Sequence, residues 1–484
     1  MSAEQLDDPV KTRKHKTTGN GLGSAIPPQT ASTAEREIAG RKLRERTPLK
    51  SHGQWRPEMR KEDPIDLLVE SSKGRIEALL PIRYGRMLLT PFAFYRGAAA
   101  VMADDLSHTP ATGVYVQACG DCHAVNFGGF ATPERNIVFD INDFDETCPG
   151  PWEWDVKRLA ASFIALGRYR KFSDEESRKC AWRAARSYRK HMAKYAQMPI
   201  LEAWYSHINV EEFLEDTTSE MKTGRKAWSK KLTDKVSSHR LAFKKLAVEE
   251  GGTAHILDQP PLIYHVASSE QKSARELVEE SIRGYKDSVA PEVRMLLDRY
   301  TLVDVAAKVV GVGSVGTLCG IMLLMSGSGD PLFLQFKEAR QSVLEPYAGA
   351  SPYKHHGERI VHGQRLMQAA SDMFLGWVTG TGEAHRTFYI RQLKDVKLKP
   401  LVEVAIPVGT ELWARYCGHA LARAHARSGD PVLLSAYMDD GEAFEEVMVD
   451  FAIAYADQTE RDHEALATAV RSGRLAAQIE TQDD

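Results

Sequence analysis

One block of about 100 residues carries most of the β-strand patterns in this chain, and its position constrains the fold. Apolar, β-prone runs separated by glycine-rich turns predict strands at residues 305–310, 317–325 and 332–337, and another at 387–393. The sequence on both sides has the 3.6-residue period and the Ala, Leu, Lys and Glu content of helices. We therefore predict an α+β fold with two lobes, in which a small antiparallel sheet (residues 301–398) packs above a large helical lobe built from both ends of the chain.

The remaining sequence divides into three segments by composition. Residues 1–62 are polar and mildly basic, which predicts a mobile N-terminal arm. Residues 63–300 predict the main part of the helical lobe, together with two short strands at 114–118 and 137–141. Residues 399–484 are again helical by period, so we expect them to return to the same lobe.

Composition argues against several classes of protein. The chain of 484 residues has a formal net charge of −3, which gives no reason to expect a nucleic-acid partner. The N-terminal segment lacks the apolar run of a secretory signal, and six cysteines do not make a disulfide framework, so we predict a cytoplasmic protein. Residues 309–325 carry no charge, but four glycines dilute their hydrophobicity, so we predict no membrane span.

The densest polar cluster is Cys-Gly-Asp-Cys-His-Ala-Val-Asn at residues 119–126. Asp121 and Asn126 have the Asp-x-x-x-x-Asn spacing of kinase catalytic loops, and Asp143 follows after a predicted strand. Phosphoryl transfer uses one carboxylate to orient or deprotonate the attacking hydroxyl, and an amide oxygen with a second carboxylate to hold Mg²⁺. We therefore predict Asp121 as the catalytic carboxylate and Asn126 and Asp143 as Mg²⁺ ligands.

Neighbouring residues have less specific patterns. His123 lies inside the predicted catalytic loop, where we expect it to brace the loop by hydrogen bonds. Asp140 and Asp145 are close enough to Asp143 to be alternative metal ligands. Residues 119–123 also fit the Cys-x-x-Cys-His pattern of haem attachment, which requires export, and of a redox pair. No second Cys or His pair has zinc-ligand spacing, so we expect these thiols to be incidental.

A glycine turn at residues 311–316 lies between two predicted strands. Its candidate ligand-binding residues are Gly311, Gly313, Ser314 and Gly316. Backbone amides in such a turn would cover the phosphates of ATP, because glycine permits close approach. Lys337 ends the third strand, where a lysine would pair the α- and β-phosphates. Arg83, Arg86 and Arg96 either lie near phosphate or form structural salt bridges, and the sequence does not distinguish these roles.

An ATP site also needs a partner for the lysine and a hinge for adenine. Glu345 and Glu358 both follow Lys337, and either would be able to orient it, so the sequence leaves this choice open. The last strand of the block would lead to the hinge, which makes Gln392 and Leu393 candidate adenine contacts.

These residues resemble motifs of the aminoglycoside and choline kinase-like phosphotransferases. Residues 120–126 resemble their Gly-Asp-x-His-x-x-Asn loop, and residues 141–145 resemble their metal-binding segment, which implies that Asp143 binds Mg²⁺. The run that starts at Asp155 resembles the beginning of their next helix, which implies a structural role for this aspartate. Residues 418–425 resemble the helix that precedes the catalytic loop in these enzymes, although here they follow it by about 300 residues. The resemblance therefore implies a protein-kinase-like fold in circularly permuted order.

The chain from about residue 60 also resembles a bacterial family of unknown function, which brings no established substrate. The stretches that carry this resemblance are Arg83-Tyr-Gly-Arg-Met87, Pro91-Phe-Ala-Phe-Tyr-Arg-Gly97, Asn142-Asp-Phe-Asp-Glu146, Pro149-Gly-Pro-Trp-Glu-Trp154 and Ala422-Arg-Ala-His-Ala426.

The function predicted from these patterns is a phosphotransferase that uses ATP and Mg²⁺ and acts on an unidentified hydroxyl acceptor. One alternative is a nucleotide-binding pseudokinase, or an enzyme that transfers AMP at the same site. Another is a dinucleotide-binding oxidoreductase, because the glycine turn matches Gly-x-Gly-x-x-Gly and Asp330 lies about 20 residues on. That fingerprint must open a helix, whereas residues 317–325 predict a strand. The sequence identifies neither the acceptor nor the oligomeric state.

Overall fold

The computed structural model describes residues 26–217 and 238–479, apart from a few single positions and short gaps. The excepted positions are 252, 261, 266, 267, 310, 312, 314, 382–384, 394–396, 399, 401 and 440. Residues 1–25 of the predicted arm, and Ser314 of the glycine turn, therefore lie outside the described residues.

Helices make up most of the described structure. In chain order they are α1 (Thr33–Arg46), α2 (Pro64–Ser72), α3 (Leu80–Leu88), α4 (Pro91–Gly97), α5 (Ala99–Ser107), α6 (Trp152–Tyr169), α7 (Asp174–Gln197), α8 (Ile200–Tyr205), α9 (Val210–Glu215), α10 (Ser238–Leu246), α11 (Ser268–Lys286), α12 (Pro291–Leu297), α13 (Glu345–Ala348), α14 (His356–Met367), α15 (Pro407–Ser428), α16 (Pro431–Met438) and α17 (Ala443–Arg471). Local signals set several of their ends. Ser173, for example, accepts a hydrogen bond from Glu176 N at 3.2 Å, and the Glu176 carboxylate accepts one from Ser173 N at 2.8 Å. This capping box starts α7.

The described strands form one six-stranded antiparallel sheet and three smaller sheets. In chain order they are β1 (Tyr115–Ala118), β2 (Phe127–Ala131), β3 (Ile137–Ile141), β4 (Cys148–Pro151), β5 (Ala247–Glu250), β6 (Thr253–Ile256), β7 (Ile263–Tyr264), β8 (Tyr300–Lys308), β9 (Cys319–Ser326), β10 (Pro331–Ala339), β11 (Gly376–Thr379), β12 (Thr387–Gln392) and β13 (Lys397–Leu398). The main sheet has the order β11-β12-β10-β9-β8-β7. Within it, Lys337 on β10 lies opposite Cys319 on β9 and Tyr389 on β12. The smaller sheets are β13-β2-β3, β1-β4 and β5-β6.

The strands predicted from the sequence are confirmed, with differences of a few residues at their ends, and so is the α+β class. The uncharged run at residues 309–325 contributes most of β9 to the main sheet. Among the helices of the described residues, none combines the length and the apolar character that crossing a membrane requires.

The largest apolar core lies between helices from the middle and the end of the chain. Helices α6, α7, α15 and α17 pack against one another there. Trp152 at the start of α6 stacks on Tyr188 of α7 with ring centroids 5.8 Å apart, and on Phe444 of α17 at 5.9 Å. Such aromatic pairs stabilise a fold by more than the apolar area they bury. The core therefore joins segments that are far apart in sequence.

Part of the predicted N-terminal arm is folded, so the expectation of a mobile arm is wrong for residues 33–62. Helix α1 begins with a capping box, in which Ser32 Oγ accepts from Glu35 N at 3.3 Å and the Glu35 carboxylate accepts from Ser32 N at 2.9 Å. It then packs on α16. Farther along, Arg60 is buried and donates to Asp462 Oδ2 at 2.8 Å. These contacts join residues about 400 apart, which polar composition alone does not indicate.

A buried ion pair ties β3 to the C-terminal helices. Arg423 on α15 donates from Nη2 to both carboxylate oxygens of Asp140 at 2.8 Å, and both side chains are fully buried. Asp140 also accepts from Ile141 N and from Ala369 N, each at 2.9 Å. Because its oxygens are satisfied within the core, the expectation that Asp140 is an alternative metal ligand is wrong.

Replacement of Arg423 by methionine should destabilise the fold strongly. The change leaves the Asp140 carboxylate buried without its cation, which costs about 3–5 kcal/mol of unfolding free energy. Urea unfolding of Arg423→Met against the parent chain measures this loss. The matched control is Arg471→Met, whose partner Glu464 and own side chain are both mostly exposed, and which should cost within about 0.5 kcal/mol. Equal losses in the two variants would contradict the expectation.

Candidate functional site

A cleft of about 710 Å³ lies where the loop after β1, the segment after β3, the main sheet and helices α2 to α4 meet. This volume is typical of small-molecule sites. The predicted site residues that line it are Asp121, His123, Asn126, Asp143, Asp145, Gly311, Gly313, Lys337 and Leu393. Of the other predicted residues, Gly316 adjoins the lining residue Thr317, and Gln392 adjoins Leu393. Residues that precede the main sheet's sequence block and residues within that block therefore meet in one cleft.

The loop after β1 is held from below by the start of α6. Asp155, which is buried, accepts hydrogen bonds from Cys119 N at 2.6 Å and Gly120 N at 3.0 Å. Gly120 has a φ of +80°, and a Cβ atom there would lie 2.4 Å from Glu146 O, so the turn requires glycine. His425 of α15 lies 3.2 Å from the same aspartate through Nε2. This carboxylate therefore fixes where the loop presents its side chains.

Asp121, the predicted catalytic carboxylate, is paired with a buried arginine. Its Oδ1 accepts from Arg158 Nε at 3.0 Å and from Arg158 Nη2 at 2.5 Å. Its Oδ2 lies 3.7 Å from His123 Nε2. The pairing fixes the orientation of the Asp121 side chain, and Oδ2 is the carboxylate oxygen that Arg158 does not bind. Arg158 was not anticipated from the sequence, although it lies three residues after Asp155 in the helix start that the motif comparison singled out.

His123 is a neutral imidazole buried under the loop. Burial, together with the charges of Arg96 and Arg158, holds its pKa well below the ordinary value. Its Nδ1 accepts from Val125 N at 3.2 Å, which places the remaining proton on Nε2, toward Asp121. This geometry suits a residue that braces the loop.

Asn126 and Asp143 come from two loops that are hydrogen-bonded to each other. Asn126 donates from Nδ2 to Asp121 O at 2.7 Å, and its own carbonyl accepts from Asn142 N at 2.8 Å. Asp143 follows directly, with a side chain that is 41% exposed to the cleft. Partial loss of hydration in the cleft and the neighbouring Asp145 carboxylate raise the pKa of Asp143. An amide oxygen and a partly open carboxylate thus share one side of the cleft.

Lys337 reaches from the sheet to the segment after β3. Its ammonium group donates to Asp145 Oδ2 and lies 3.9 Å from Asp143 Oδ2, and its side chain is buried. Tyr389 on the adjacent strand donates to Asp145 Oδ1 at 2.8 Å. Burial alone would lower the pKa of Lys337, but the two carboxylates raise it well above the ordinary value. Burial would likewise raise the pKa of Asp145, but the charge of Lys337 and the two donated hydrogen bonds lower it.

Neither glutamate considered as a partner for Lys337 pairs with it. Glu345 accepts from Ser342 N at 3.1 Å and lies 3.7 Å from Arg359 Nε, while Glu358 lies 3.7 Å from His362. The expectation of a glutamate partner is therefore wrong in this structure, and the carboxylates of the segment after β3 take its place.

Helix α14 instead contributes an arginine that the sequence analysis missed. Arg359 is 1% exposed and donates from Nη2 to Asp145 O at 2.8 Å and to Arg340 O at 2.7 Å. It thereby clamps the backbone that carries Asp145 to the end of β10. Spacing within one segment gives no signal for such a residue, because its acceptors lie on two other segments.

The glycine turn joins β8 to β9 and borders open space. Gly316 has a φ of +87°, and its carbonyl accepts from Ile76 N at 2.8 Å. A Cβ atom at Gly311 would meet none of the described residues within 4 Å, and one at Gly313 would be 3.6 Å from Arg96 O. The described residues after Gly316 continue into β9, so the turn does not open a helix, as the dinucleotide fingerprint requires.

The predicted hinge residues have their backbone amides engaged. Gln392 N donates to Asp372 Oδ2 at 2.5 Å, and Leu393 N donates to Phe333 O at 3.0 Å. Leu393 contributes its side chain to the cleft wall, next to the strand that carries Lys337. Residues 394–396, where a hinge would continue, lie outside the described residues.

The two cysteines of the loop do not form a reactive pair. Cys119 and Cys122 are both fully buried and free of disulfides, and burial raises the pKa of Cys122 well above the ordinary value. In the part of the chain that the structure describes, no three His, Cys, Asp or Glu side chains form a metal-binding group by themselves. A Mg²⁺ ion does not need one, since it is commonly held by one or two protein oxygens together with substrate phosphates.

Four arginines line the cleft beside the glycine turn. This arginine cluster consists of Arg75, Arg83, Arg96 and Arg340. Arg75 donates from Nη1 to Val315 O at 2.7 Å, which anchors the turn itself. Of the arginines considered from the sequence, Arg83 and Arg96 therefore belong to the cleft wall.

Comparison with known proteins identifies a family. The model of a family described as an uncharacterized protein conserved in bacteria (DUF2252) matches residues 75–469. The match covers well over half of the chain, so the chain belongs to this family, and the resemblance noted in the sequence is confirmed. No curated protein and no solved structure matches the chain.

Replacement of Lys337 by methionine should cost stability in a pH-dependent way. The lysine lowers the folded-state pKa of Asp145, so the stability from this pair is present above the unfolded pKa of aspartate and is lost as the pH falls. In Lys337→Met the carboxylates of Asp143 and Asp145 repel each other at neutral pH, and protonation of one of them relieves this repulsion. We expect a loss of roughly 2–4 kcal/mol near pH 7 that shrinks toward about pH 4.

Urea unfolding of the parent chain and the variant over this pH range measures the difference. Lys73→Met is the control, because Lys73 and its partner Glu70 are both mostly exposed. A loss that stays constant with pH would contradict the assigned role of the pair.

Proposed function

We propose that this member of a family conserved in bacteria is an ATP-dependent phosphotransferase, which moves the γ-phosphoryl group of Mg·ATP to a hydroxyl acceptor in the cleft. The observation that carries the proposal is the meeting of Lys337 with Asp143 and Asp145 beside the loop that presents Asp121. Phosphoryl transfer needs this set of groups, because its catalysis consists of positioning and charge stabilisation.

The geometry supports the following roles. In the transfer step the acceptor oxygen bonds to the γ-phosphorus, the bond from that phosphorus to the bridging oxygen of ADP breaks, and the hydroxyl proton passes to Asp121. Oδ2 suits this role, since Oδ1 is held by Arg158. Lys337 would leave its carboxylates to pair the α- and β-phosphates, and the amides of the glycine turn would cover them. Asn126 and Asp143 would hold Mg²⁺, which neutralises phosphate charge when it is bound.

The order of elements supports a protein-kinase-like fold in permuted order. The glycine turn, Lys337, α14 and β12 follow one another in the chain as the corresponding parts do in kinases. Helix α15 follows these parts in the chain. Its C-terminal end lies beside β1, the strand before the catalytic loop, where Gln117 N donates to Ser428 Oγ at 3.0 Å. A helix and a loop that are consecutive in kinases would thus be neighbours in space, 311 residues apart in sequence.

A second candidate is a nucleotide-binding protein without transfer activity. The observation that favours it is the ion pair of Asp121 with Arg158, which engages the carboxylate that a transferase would use as its base. A related alternative is an enzyme that uses the same site to transfer AMP in place of the γ-phosphoryl group. The hydroxyl acceptor and the cytoplasmic location remain predictions from the sequence.

Mg·ATP should stabilise the parent chain against thermal unfolding, and Lys337→Met should lose this effect. A ligand that binds only the folded state raises the melting temperature, because it adds about 2.7 kcal/mol to the free energy of unfolding at a ligand concentration of 100 times its Kd. The titration uses Mg·ATP, Mg·ADP and NAD, with Lys73→Met as the control. A shift with NAD alone, or one that Lys337→Met retains in full, would count against the ATP site.

Asp143→Asn should abolish Mg²⁺-dependent turnover of ATP. The amide cannot supply the charge that the metal requires, so we expect a loss of at least about 100-fold in ADP formation. Asp298→Asn, at an exposed position outside the cleft, is the control and should leave turnover unchanged. Full activity in Asp143→Asn would reject the metal assignment while leaving nucleotide binding to be judged by the thermal titration.

A further inference from the structure

The arginine cluster is not explained by the proposed nucleotide contacts. Its members come from four places: Arg75 follows α2, Arg83 lies on α3, Arg96 lies on α4, and Arg340 follows β10. All four line the cleft, on the wall formed by the N-terminal helices and the end of β10.

Their hydrogen bonds go to neutral oxygens. Arg83 donates to Ser72 Oγ at 2.9 Å and to Gly97 O at 3.0 Å, and Arg340 donates to Ser71 O at 3.3 Å. Within the described part of the chain, none of the four forms an ion pair with a carboxylate, unlike the buried arginines of the core. The Nε atoms of Arg83 and Arg96 are buried without a hydrogen-bond partner among the described residues.

Such an arrangement is costly without a ligand. Arg83 is 2% exposed, and burial of a charge that is not paired costs several kcal/mol. Burial and the charges of Arg83 and Arg340 lower the pKa of Arg75 to about 9, and burial lowers that of Arg83 to about 10. The nearby carboxylates offset only part of this, because Glu146 accepts from Val343 N and Asp145 is engaged with Lys337.

An anion in the cleft would balance the cluster. The planar guanidinium group matches phosphate oxygens, and arginine is the residue that proteins use most for such recognition. The cleft has room beside the cluster, since a Cβ atom at Gly311, which lines the cleft, would meet no described residue within 4 Å. Arg96 is also close enough to the catalytic loop for its charge to act on His123.

We propose that the arginine cluster is a second anion subsite of the cleft, which binds a phosphate group of the hydroxyl acceptor while Asp121 faces its hydroxyl. The identity of the occupant as the acceptor rests on the proposed function. The substrate class would then be a small phosphorylated alcohol, in place of a neutral sugar or a cationic amino alcohol. The terminal phosphate of the nucleotide is the other source of the same chemistry, and the experiment separates the two.

The test measures the binding of inorganic phosphate to the full chain. Calorimetric titration and thermal shift monitor this binding with and without saturating Mg·AMP-PNP. We expect phosphate to bind and to remain bound when the nucleotide analogue is present. Arg96→Gln and Arg340→Gln should each weaken phosphate binding by about tenfold or more, because each removes a charge-assisted bond. Arg299→Gln, at an exposed position outside the cleft, is the matched control and should change nothing.

Each other result has a distinct meaning. Mutual exclusion of phosphate and Mg·AMP-PNP would assign the cluster to the nucleotide's own phosphates and overturn the acceptor subsite. Absence of phosphate binding, or equal binding in all four proteins, would overturn the subsite itself. Phosphate binding that depends on the arginines, together with no response to Mg·AMP-PNP in the parent chain, would reject the proposed ATP site and leave the anion subsite supported.

Discussion

The Asp155 carboxylate holds together the parts of the chain on which the cleft depends. It is 1% exposed, and a carboxylate in such a place is tolerated only when hydrogen bonds satisfy its oxygens. Two of those bonds come from the loop after β1, through Cys119 N and Gly120 N, and His425 of α15 approaches from the other side. The position of Asp121 in the cleft is therefore set by contacts that lie beneath the loop.

The two walls of the cleft differ in how their charge is balanced. On the sheet side, Lys337 is neutralised by the carboxylates of the segment after β3, and Arg359 fixes the backbone of that segment. On the side of the N-terminal helices, the guanidinium groups of the arginine cluster face neutral acceptors. If the two proposals above hold, a site with one balanced wall and one positive wall would take a ligand that carries more negative charge than a single metal-bound nucleotide.

The sequence predicted the elements of the fold better than their mutual contacts. The strands of the main sheet were recognised from their apolar runs and glycine turns, because this signal is local. Asp121, Asn126 and Asp143, which were selected by their spacing in the sequence, line the same cleft, and their roles stay predictions. In contrast, the folding of α1, the partner of Lys337 and the role of Arg359 depend on contacts between residues that are tens to hundreds of positions apart. A single sequence carries no direct signal for such pairs.

The distance along the chain between Asp155 and its partner His425 has a consequence for synthesis. The two residues are 270 positions apart, so the ribosome needs roughly 14 to 54 s to deliver the second after the first. During that interval Asp155 lacks its histidine partner. Contacts of such high sequence separation also slow folding after release, because the chain must close a long loop before they stabilise it. The core between α6, α7 and the C-terminal helices can therefore be completed only after the last helices have emerged from the ribosome.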